Sequence, residues 1–154
     1  MTQEIEIRDH IAADVGEVWA LLEDSSTWPA WTPIDSFELE RKAGPDGLGE
    51  IRRFTTGRVS VREEIVEKKR ERRLTYELLS GLAVRDYRAE IDVTAVEPDQ
   101  TAIHWHTTFK AKVPGTGWVY RRALEKATRA FVDGLAEKSH ALRVRAGKQA
   151  ISRN

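Results

Sequence analysis

The sequence contains no cysteine. No disulfide can therefore stabilise the fold, no thiol can take part in chemistry, and no cysteine-ligated zinc site can form. No apolar run approaches the ~20 residues that are needed to cross a bilayer. The N-terminal MTQEIEIRDHIAADVGEVW also lacks the basic segment followed by an apolar one that marks a signal peptide. We therefore predict a cytoplasmic protein that has no integral membrane association and is stabilised by packing alone.

The chain also lacks an excess of charge of either sign, because its 25 basic and 25 acidic residues cancel. No global field attracts nucleic acid or an acidic membrane, and any charged patch on the surface is local. The most basic segment, EKKRERR at 67–73, falls at a predicted hairpin tip, and no aromatic residues are interleaved with its charges to stack on bases. We predict a solvated turn there and no nucleic-acid partner.

Alternation of apolar and polar residues, the period of a half-buried strand, recurs along much of the chain. In QEIEIRDHIA, Ile5 and Ile7 alternate with charged residues. Between Ile34 and Lys112, turn signals such as AGPDGLG and EPDQ separate further segments of this kind. The pattern predicts one N-terminal strand and then a meander of six: DSFELERK, EIRRFTTG, RVSVREEIVEKK, RRLTYELLSG, VRDYRAEIDVTAVE and TAIHWHTTFKAKV.

Helices are predicted in three places. Asp14 is a good N-cap, with Glu17 three residues on, and an apolar side follows it in VGEVWALL. The two prolines of DSSTWPAWTP favour a short irregular helix or a corner. After residue 116, one apolar stripe predicts a helix of roughly 25–30 residues. The members of that stripe are Leu124, Ala127, Phe131, Leu135 and Leu142.

The chain has no internal repeat and no linker, so we predict a single domain over residues 1–154. Its core covers about residues 4–145, and the polar segment RAGKQAISRN predicts that residues 146–154 fray. A curved antiparallel sheet with one apolar face, covered by a single long helix, is not filled completely by side chains. The pattern therefore predicts a cavity between the sheet and the helix.

The chain resembles the START-like superfamily (SRPBCC), and more narrowly its polyketide cyclase/dehydrase and lipid-transport branch. The resemblance lies in the order and spacing of VGEVWALLED, STWPAW, REEIVE, RRLTYEL, RDYRAEIDVT, TAIHWHTTF and VPGTGWVYRRALEKATRAFVDGLAE. It implies an α+β helix-grip fold, with a seven-stranded antiparallel sheet wrapped around a long C-terminal helix and two short helices after strand 1. It also implies a mostly apolar internal cavity for a lipid, polyketide, sterol or similar molecule.

The same family has no shared catalytic motif, so the resemblance does not say whether the chain is an enzyme. We expect no cofactor.

The segment VPGTGWVYRR, 113–122, breaks the last strand before the long helix. A P-loop would end in Gly-Lys-Ser/Thr, but Gly117 is followed by Trp118, and a dinucleotide fingerprint would need a third glycine. Thr116 can cap the helix instead, so we predict a structural hinge. Anion binding at the helix N-terminus is the alternative. In the fold implied by the resemblance, the hinge lies near the cavity mouth, where Trp118 and Tyr120 could contact a ligand.

The strand alternation predicts which side chains face the interior. Ordinary core packing explains most inward-facing side chains. The functional interpretation is that some of these side chains line a pocket and that their hydroxyl groups orient a ligand. The candidates are Tyr76, Tyr87, Trp105, Thr107 and Phe109 on the strands and Phe131 on the helix.

The two tryptophans of WPAW, Trp28 and Trp31, have two interpretations. They anchor the short second helix over the end of the sheet, or they belong to a movable lid whose rings meet the ligand.

Glu63 continues the alternation of Val59, Val61 and Ile65, which places its carboxylate on the inward face. Burial of a carboxylate is costly unless the group is paired, and Arg53 or Arg85 could pair with it. Buried polar groups in an apolar cavity often have shifted pKa values, which suits them to acid–base chemistry. Glu63 and Tyr87 are therefore weak catalytic candidates. The simpler interpretation is a bulge in VREEIVE that turns Glu63 or Glu64 outward.

His104 and His106 lie two residues apart on one strand, a spacing that can chelate a metal. With Trp105 inward, both histidines face outward, and no third ligand is evident beyond Glu90 or Asp92. We therefore predict no metal site. His10 and His140 are isolated, and no hydrolytic triad is supported.

The favoured hypothesis is the binding of a hydrophobic or amphipathic small molecule, such as a lipid or polyketide, between the sheet and the C-terminal helix. Tyr76, Tyr87, Glu63 and Arg85 would orient it.

The alternative is a cyclase or dehydratase acting on an aromatic polyketide-like substrate, with Glu63 or a tyrosine moving protons. An ionisable side chain that points into the cavity favours the enzyme, and a lining with only hydroxyl groups favours a carrier or sensor. Partner binding on the outer sheet face is expected only if the cavity proves to be filled.

Overall fold

The computed structural model describes residues 1–152. The order of elements matches the predicted order, with one strand, two short helical segments, six further strands and a long helix. The elements are β1 (Thr2–Ile11), α1 (Val15–Glu23), a 3₁₀ turn (Ser25–Thr27), α2 (Trp28–Trp31), β2 (Ser36–Arg41), β3 (Ile51–Thr56), β4 (Val59–Lys69), β5 (Arg73–Ser80), β6 (Val84–Glu97), β7 (Gln100–Ala111) and α3 (Gly117–Ser152).

The strands form one antiparallel sheet in the order β1-β7-β6-β5-β4-β3-β2. Strands β2 to β7 are a meander in which each strand pairs with the next along the chain. The first strand pairs with the last, and Ile7 lies opposite Trp105. The sheet curls around α3, with α1 and α2 at its end. This arrangement confirms the predicted helix-grip fold with seven strands.

The local signals at the helix starts are partly confirmed. The Asp14 carboxylate caps α1 by accepting a hydrogen bond from the Gly16 backbone N–H at 2.7 Å. At the hinge between β7 and α3, however, the Thr116 hydroxyl does not cap the helix as predicted. It donates to the Val113 carbonyl oxygen at 2.7 Å and closes the preceding turn instead.

Helix α3 is longer than predicted, with 36 residues in place of roughly 25–30. The predicted frayed tail is helical from residue 146 to Ser152, and residues 153 and 154 lie outside the described residues. Since the side chains of residues 146–151 are exposed, this last part of the helix contributes little to the core. No helix within residues 1–152 is both long and apolar enough to cross a membrane.

The core lies between α3 and the inner face of the sheet. Ile5 and Ile7 of β1 are buried there, together with Val132 and Leu135 of α3. The helix packs mainly along β1, with a smaller contact on β7. On the inner face of the sheet, α3 therefore covers β3 to β6 less completely than it covers β1 and β7.

Gly134 of α3 packs against the backbone of α2. A Cβ atom at this position would overlap the backbone carbonyl oxygen of Trp31 in α2. The glycine thus allows α2 to approach the surface of α3 more closely than any side chain would.

We expect Gly134→Ala to destabilise the protein by about 1–3 kcal/mol, because α2 would have to move away from α3. Gly147→Ala in the same helix is the matched control. A Cβ at position 147 meets no atom within 4 Å, so this change should stabilise the helix by roughly 0.5–1 kcal/mol. Urea unfolding of both variants measures the difference. A Gly134→Ala variant as stable as the unsubstituted chain would contradict the packing described here.

Candidate functional site

A cavity of about 370 Å³ lies between α3 and the inner face of β3 to β6. This volume is within the roughly 300–1,000 Å³ that is typical of small-molecule pockets, near the lower limit. Its lining is mostly apolar. Five aromatic residues form much of the wall: Trp28, Phe54, Tyr76, Tyr87 and Phe131.

Aliphatic side chains complete the cavity toward one end of the sheet. Val59 and Val61 of β4, Leu78 of β5 and Leu82 of the following turn lie opposite Leu124 and its neighbours in α3. Val59 is about half exposed. The cavity therefore reaches the surface at the end of the sheet where β4 begins.

Larger clefts occur on the surface, but their chemistry differs. A groove of about 690 Å³ on the outer sheet face is lined by charged residues that include Arg73 and Asp92. These two side chains already form an ion pair at 2.6 Å. Because this groove is open and its Arg73 and Asp92 are paired with each other, the apolar cavity is the better candidate for a ligand site.

Trp28 is the centre of the aromatic wall. Its ring lies 5.3 Å from that of Phe54, 6.1 Å from Tyr76 and 6.2 Å from Phe131, measured between centroids. Its indole N–H donates to the Leu22 carbonyl oxygen at 3.1 Å, which fixes the orientation of the ring. Since Trp28 belongs to the four-residue α2, this short helix places an aromatic anchor between the sheet and α3.

Glu63 lines the cavity and is buried, at 7% exposure. Its Oε1 accepts a hydrogen bond from Arg52 Nε at 3.1 Å, and Arg52 has no exposed surface at all. The two residues face each other across β3 and β4 in the sheet register. The predicted partners were wrong, because Arg53 pairs with Glu40 and Arg85 is exposed.

The predicted bulge in VREEIVE occurs at Val66, after Glu63, where the pairing of β4 with β5 shifts between Ile65 and Glu67. A second shift lies between Arg62 and Glu63, but its extra residue is Leu79 of β5. Strand β4 keeps its alternation through this point, so Glu63 remains on the inner face between Val61 and Ile65. The interpretation that Glu63 faces outward is therefore wrong.

Arg52 is surrounded by aromatic rings. Its Cζ atom lies 4.1 Å from the centroid of Trp28 and 4.7 Å from those of Phe54 and Tyr76. Ring faces attract a cation that has lost its water, which offsets part of the cost of burying the guanidinium. All three rings also line the cavity, so this cation lies directly behind the cavity wall.

A polar chain continues from Arg52 toward the surface. Arg52 Nη1 donates to Ser25 Oγ at 3.1 Å, and Ser25 Oγ donates to Glu50 Oε2 at 2.5 Å. Sequence reasoning missed Arg52, Ser25 and Glu50. A signal for Arg52 was present, because Phe54 two residues later is an inward apolar residue, and the strand period places Arg52 on the same face.

Burial shifts the pKa of Glu63, Tyr76 and Tyr87, which line the cavity. Loss of water raises the pKa of the Glu63 carboxyl, and the positive charge and hydrogen bond of Arg52 oppose this rise. Burial also raises the pKa of the Tyr76 and Tyr87 hydroxyls, and the neighbouring Glu63 adds to both shifts. The two tyrosines are therefore neutral phenols at ordinary pH, able to donate hydrogen bonds. Glu63 is the carboxyl group that lines the cavity.

The remaining inward candidates form a second layer of packing and do not line the cavity. Trp105 is fully buried behind Trp28 and Phe131, and Phe109 lies 6.2 Å from the ring of Tyr87. Thr107 is also fully buried. Its hydroxyl lies close enough to that of Tyr87 to oppose the rise in the Tyr87 pKa, but makes no hydrogen bond of standard geometry within residues 1–152.

Four other candidates also lie outside the cavity lining. Trp31 is buried at the contact of α2 with α3. Arg85 and Trp118 are exposed, and Tyr120 is half-buried against the core.

The two histidines of β7 face outward, as predicted, but their partners come from a different strand. His104 Nε2 lies 3.0 Å from Glu6 Oε1, and His106 Nε2 lies 2.9 Å from Glu4 Oε1, both on β1. Glu4, Glu6 and His106 offer ligand atoms within 4.8 Å of one another. Sequence reasoning considered only Glu90 and Asp92 and missed this group. The absence of a functional metal stays a prediction.

We expect Arg52→Met to destabilise the protein by about 3–5 kcal/mol near pH 8, because it leaves the Glu63 carboxylate buried without a partner. The pKa of Glu63, already above its usual 4.5 in the native chain, should rise further in this variant. A raised pKa in the folded state means that stability is lost as the pH rises above 4.5 toward the folded pKa. The destabilisation should therefore be smaller at pH 5 than at pH 8.

Urea unfolding at both pH values tests this expectation. Arg41→Met is the control, since Arg41 forms an exposed ion pair with Glu64, and its loss should cost less than about 1 kcal/mol at either pH. A loss in Arg52→Met that does not change between pH 5 and pH 8 would contradict the assigned pairing.

The fold is shared with several solved structures. A START superfamily protein from Mycobacterium smegmatis superposes with a TM-score of 0.79 at 14% identity, covering 90% of this chain and 98% of that one. The Zhui aromatase/cyclase from Streptomyces sp. R1128 gives 0.76 at 17% identity, covering 96% and 98%. A point mutant of norcoclaurine synthase from Thalictrum flavum, solved with a transition-state analogue, gives 0.74 at 18% identity, covering 93% and 97%.

Identities this low show that the fold is shared and do not show a common activity. No curated protein sequence matches the chain significantly. The family described as polyketide cyclase/dehydrase and lipid transport matches residues 2–140. That match spans all seven strands and most of α3, and with the helix-grip fold and its internal cavity it shows that the chain belongs to the polyketide cyclase/dehydrase and lipid-transport family.

Proposed function

We propose that the protein binds a hydrophobic or amphipathic small molecule in the cavity between the sheet and α3. The observation that carries this proposal is a cavity of about 370 Å³ with an aromatic and aliphatic lining and a single carboxyl group, that of Glu63. Such a lining gains affinity from apolar burial, at about 25 cal/mol per Å². A ligand that buries roughly 300 Å² of apolar surface would gain about 7.5 kcal/mol before the costs of association.

The polar groups of the cavity would orient this ligand. Glu63 Oε1 accepts a hydrogen bond from Arg52, and its second oxygen would be available to the ligand. The neutral hydroxyls of Tyr76 and Tyr87 are available to a carbonyl or hydroxyl oxygen of the ligand. A molecule with an apolar body and one polar end matches this distribution better than a pure hydrocarbon does.

An apolar fluorescent probe such as N-phenyl-1-naphthylamine tests the binding function directly. Ala127 lines the cavity from α3, and Ala127→Trp would fill much of the space. We expect the affinity for the probe to fall at least about tenfold, because its binding volume is lost. Ala146→Trp, at an exposed position of the same helix, should leave the affinity unchanged. Equal affinities in both variants would show that the probe binds elsewhere.

A cyclase or dehydratase is the second candidate function, and the position of Glu63 favours it. In such a reaction a base removes a proton from the carbon between two ketone groups, and this carbon attacks another carbonyl carbon of the same chain. The attacked oxygen takes up a proton and becomes a hydroxyl group. Loss of the second proton of the attacking carbon then forms a carbon–carbon double bond, and the hydroxyl group leaves with a proton as water. A carboxyl group with a raised pKa can accept the first proton, and a neutral tyrosine hydroxyl can hydrogen-bond to the carbonyl oxygen.

For this second function, we expect Glu63→Gln to lower the rate of cyclisation of a short aromatic β-polyketone by roughly 10²–10⁴-fold, since glutamine cannot accept the proton. Product formation is measured by chromatography. Glu64→Gln, on the outer face beside Arg41, is the control and should keep the rate. If Glu63→Gln binds the polyketone and turns it over as fast as the unsubstituted protein, Glu63 is not the base. If the unsubstituted protein binds it without converting it, the carrier function stands alone.

A further inference from the structure

Several loops and one helix start come together at the end of the molecule where the cavity reaches the surface. The Gly57 N–H donates to Asp35 Oδ2 at 2.7 Å, and the Lys112 N–H donates to the Ala83 carbonyl oxygen at 3.0 Å. The first residue of α3, Gly117, lies against the side chain of Gln3 in β1. We call this the mouth end, made of residues 32–35, 57–59, 81–86 and 110–122.

The mouth end exposes apolar side chains that nothing in the described chain covers. Trp118 is 57% exposed, Val113 54% and Val119 49%. The other four tryptophans, at positions 19, 28, 31 and 105, are buried. A tryptophan and two valines beside the opening of an apolar cavity form an exposed patch of the kind that marks an interaction site.

The mouth end also carries basic residues. Arg58, Arg85, Lys112 and Arg122 are exposed, and none of them forms an ion pair within residues 1–152. The segments of the mouth end hold six basic residues and two acidic ones, whereas the whole chain is balanced. One of the two acidic groups, Asp35, already accepts the hydrogen bond from Gly57. The mouth end therefore carries a local positive charge.

These features select among possible partners. A second copy of the chain, docked through the same patch, would bring two positive surfaces together, which is unfavourable. An anionic lipid surface supplies both the apolar boundary in which tryptophan is preferred and the negative charge that attracts lysine and arginine. It would also place the cavity opening where an apolar ligand could enter or leave without crossing water.

We infer that the mouth end docks the protein reversibly on an anionic membrane surface, with Trp118, Val113 and Val119 at the depth of the lipid headgroups. The docking does not depend on the proposed cavity function. Binding of a soluble probe to the cavity is measured without vesicles. Failure of membrane docking would therefore leave the cavity function intact, and failure of probe binding would leave membrane docking intact.

Co-sedimentation with vesicles tests this inference. The protein should bind vesicles of phosphatidylcholine with about 30% phosphatidylglycerol, bind pure phosphatidylcholine vesicles at least about tenfold less, and dissociate as salt is raised. Lys112→Glu with Arg122→Glu should weaken binding at least about tenfold, and Trp118→Ser about fivefold or more. The matched controls lie at the opposite end of the sheet. Lys42→Glu with Arg72→Glu, and Val96→Ser, are also exposed and should leave binding unchanged.

Fluorescence gives a second readout, because Trp118 is the exposed tryptophan and the other four are buried. Lipids brominated near the headgroup should quench the emission of the unsubstituted protein and leave that of Trp118→Ser unchanged. Absence of binding to anionic vesicles, or an equal loss in the variants at the opposite end, would overturn the inference. It would also be overturned if Trp118→Ser abolished a concentration-dependent dimer in sedimentation velocity while vesicle binding remained intact.

Discussion

The buried ion pair of Arg52 and Glu63 is the interaction on which the cavity depends. Two charges lie inside an apolar interior, and such burial is tolerated only when each charge is compensated. Glu63 and Ser25 bind the guanidinium at its edge, and the rings of Trp28, Phe54 and Tyr76 lie against it. Because these rings are held around Arg52 on the β3 to β5 side, they do not collapse into the space beneath α3, which stays open.

The position of α3 explains why only some inward residues reach that space. The helix packs along β1 and β7, so Trp105, Thr107 and Phe109 of β7 lie beneath other side chains. Tyr76 and Tyr87, on β5 and β6, lie farther from the helix and line the cavity. Strand alternation predicts which face of the sheet a side chain points to. It does not predict whether other side chains cover that residue, because this depends on where a helix distant in the sequence packs.

The order of the elements could be predicted almost completely, since the period of each strand and the stripe on α3 are local properties of the chain, and the helix-grip arrangement of these elements was implied by the family resemblance. What could not be predicted depends on strand register. Glu63 was placed on the inner face by its neighbours, but its partner is the residue opposite it in β3, and that residue follows from the pairing of two strands. The same limit applies to His104 and His106, whose partners lie on β1, about a hundred residues earlier in the chain.

Charge balance links the two ends of the cavity. Since Arg52 and Glu63 neutralise each other, a ligand that brought a full charge to this inner end would leave one buried charge without compensation, at a high cost. The inner end of a ligand should therefore be polar but uncharged, and hydrogen-bonded to Glu63 or a tyrosine hydroxyl. Any anionic group on the same molecule is better placed at the mouth end, near Arg58, Arg85 and Lys112. The proposed ligand would thus have an uncharged polar head inside and an apolar body along α3.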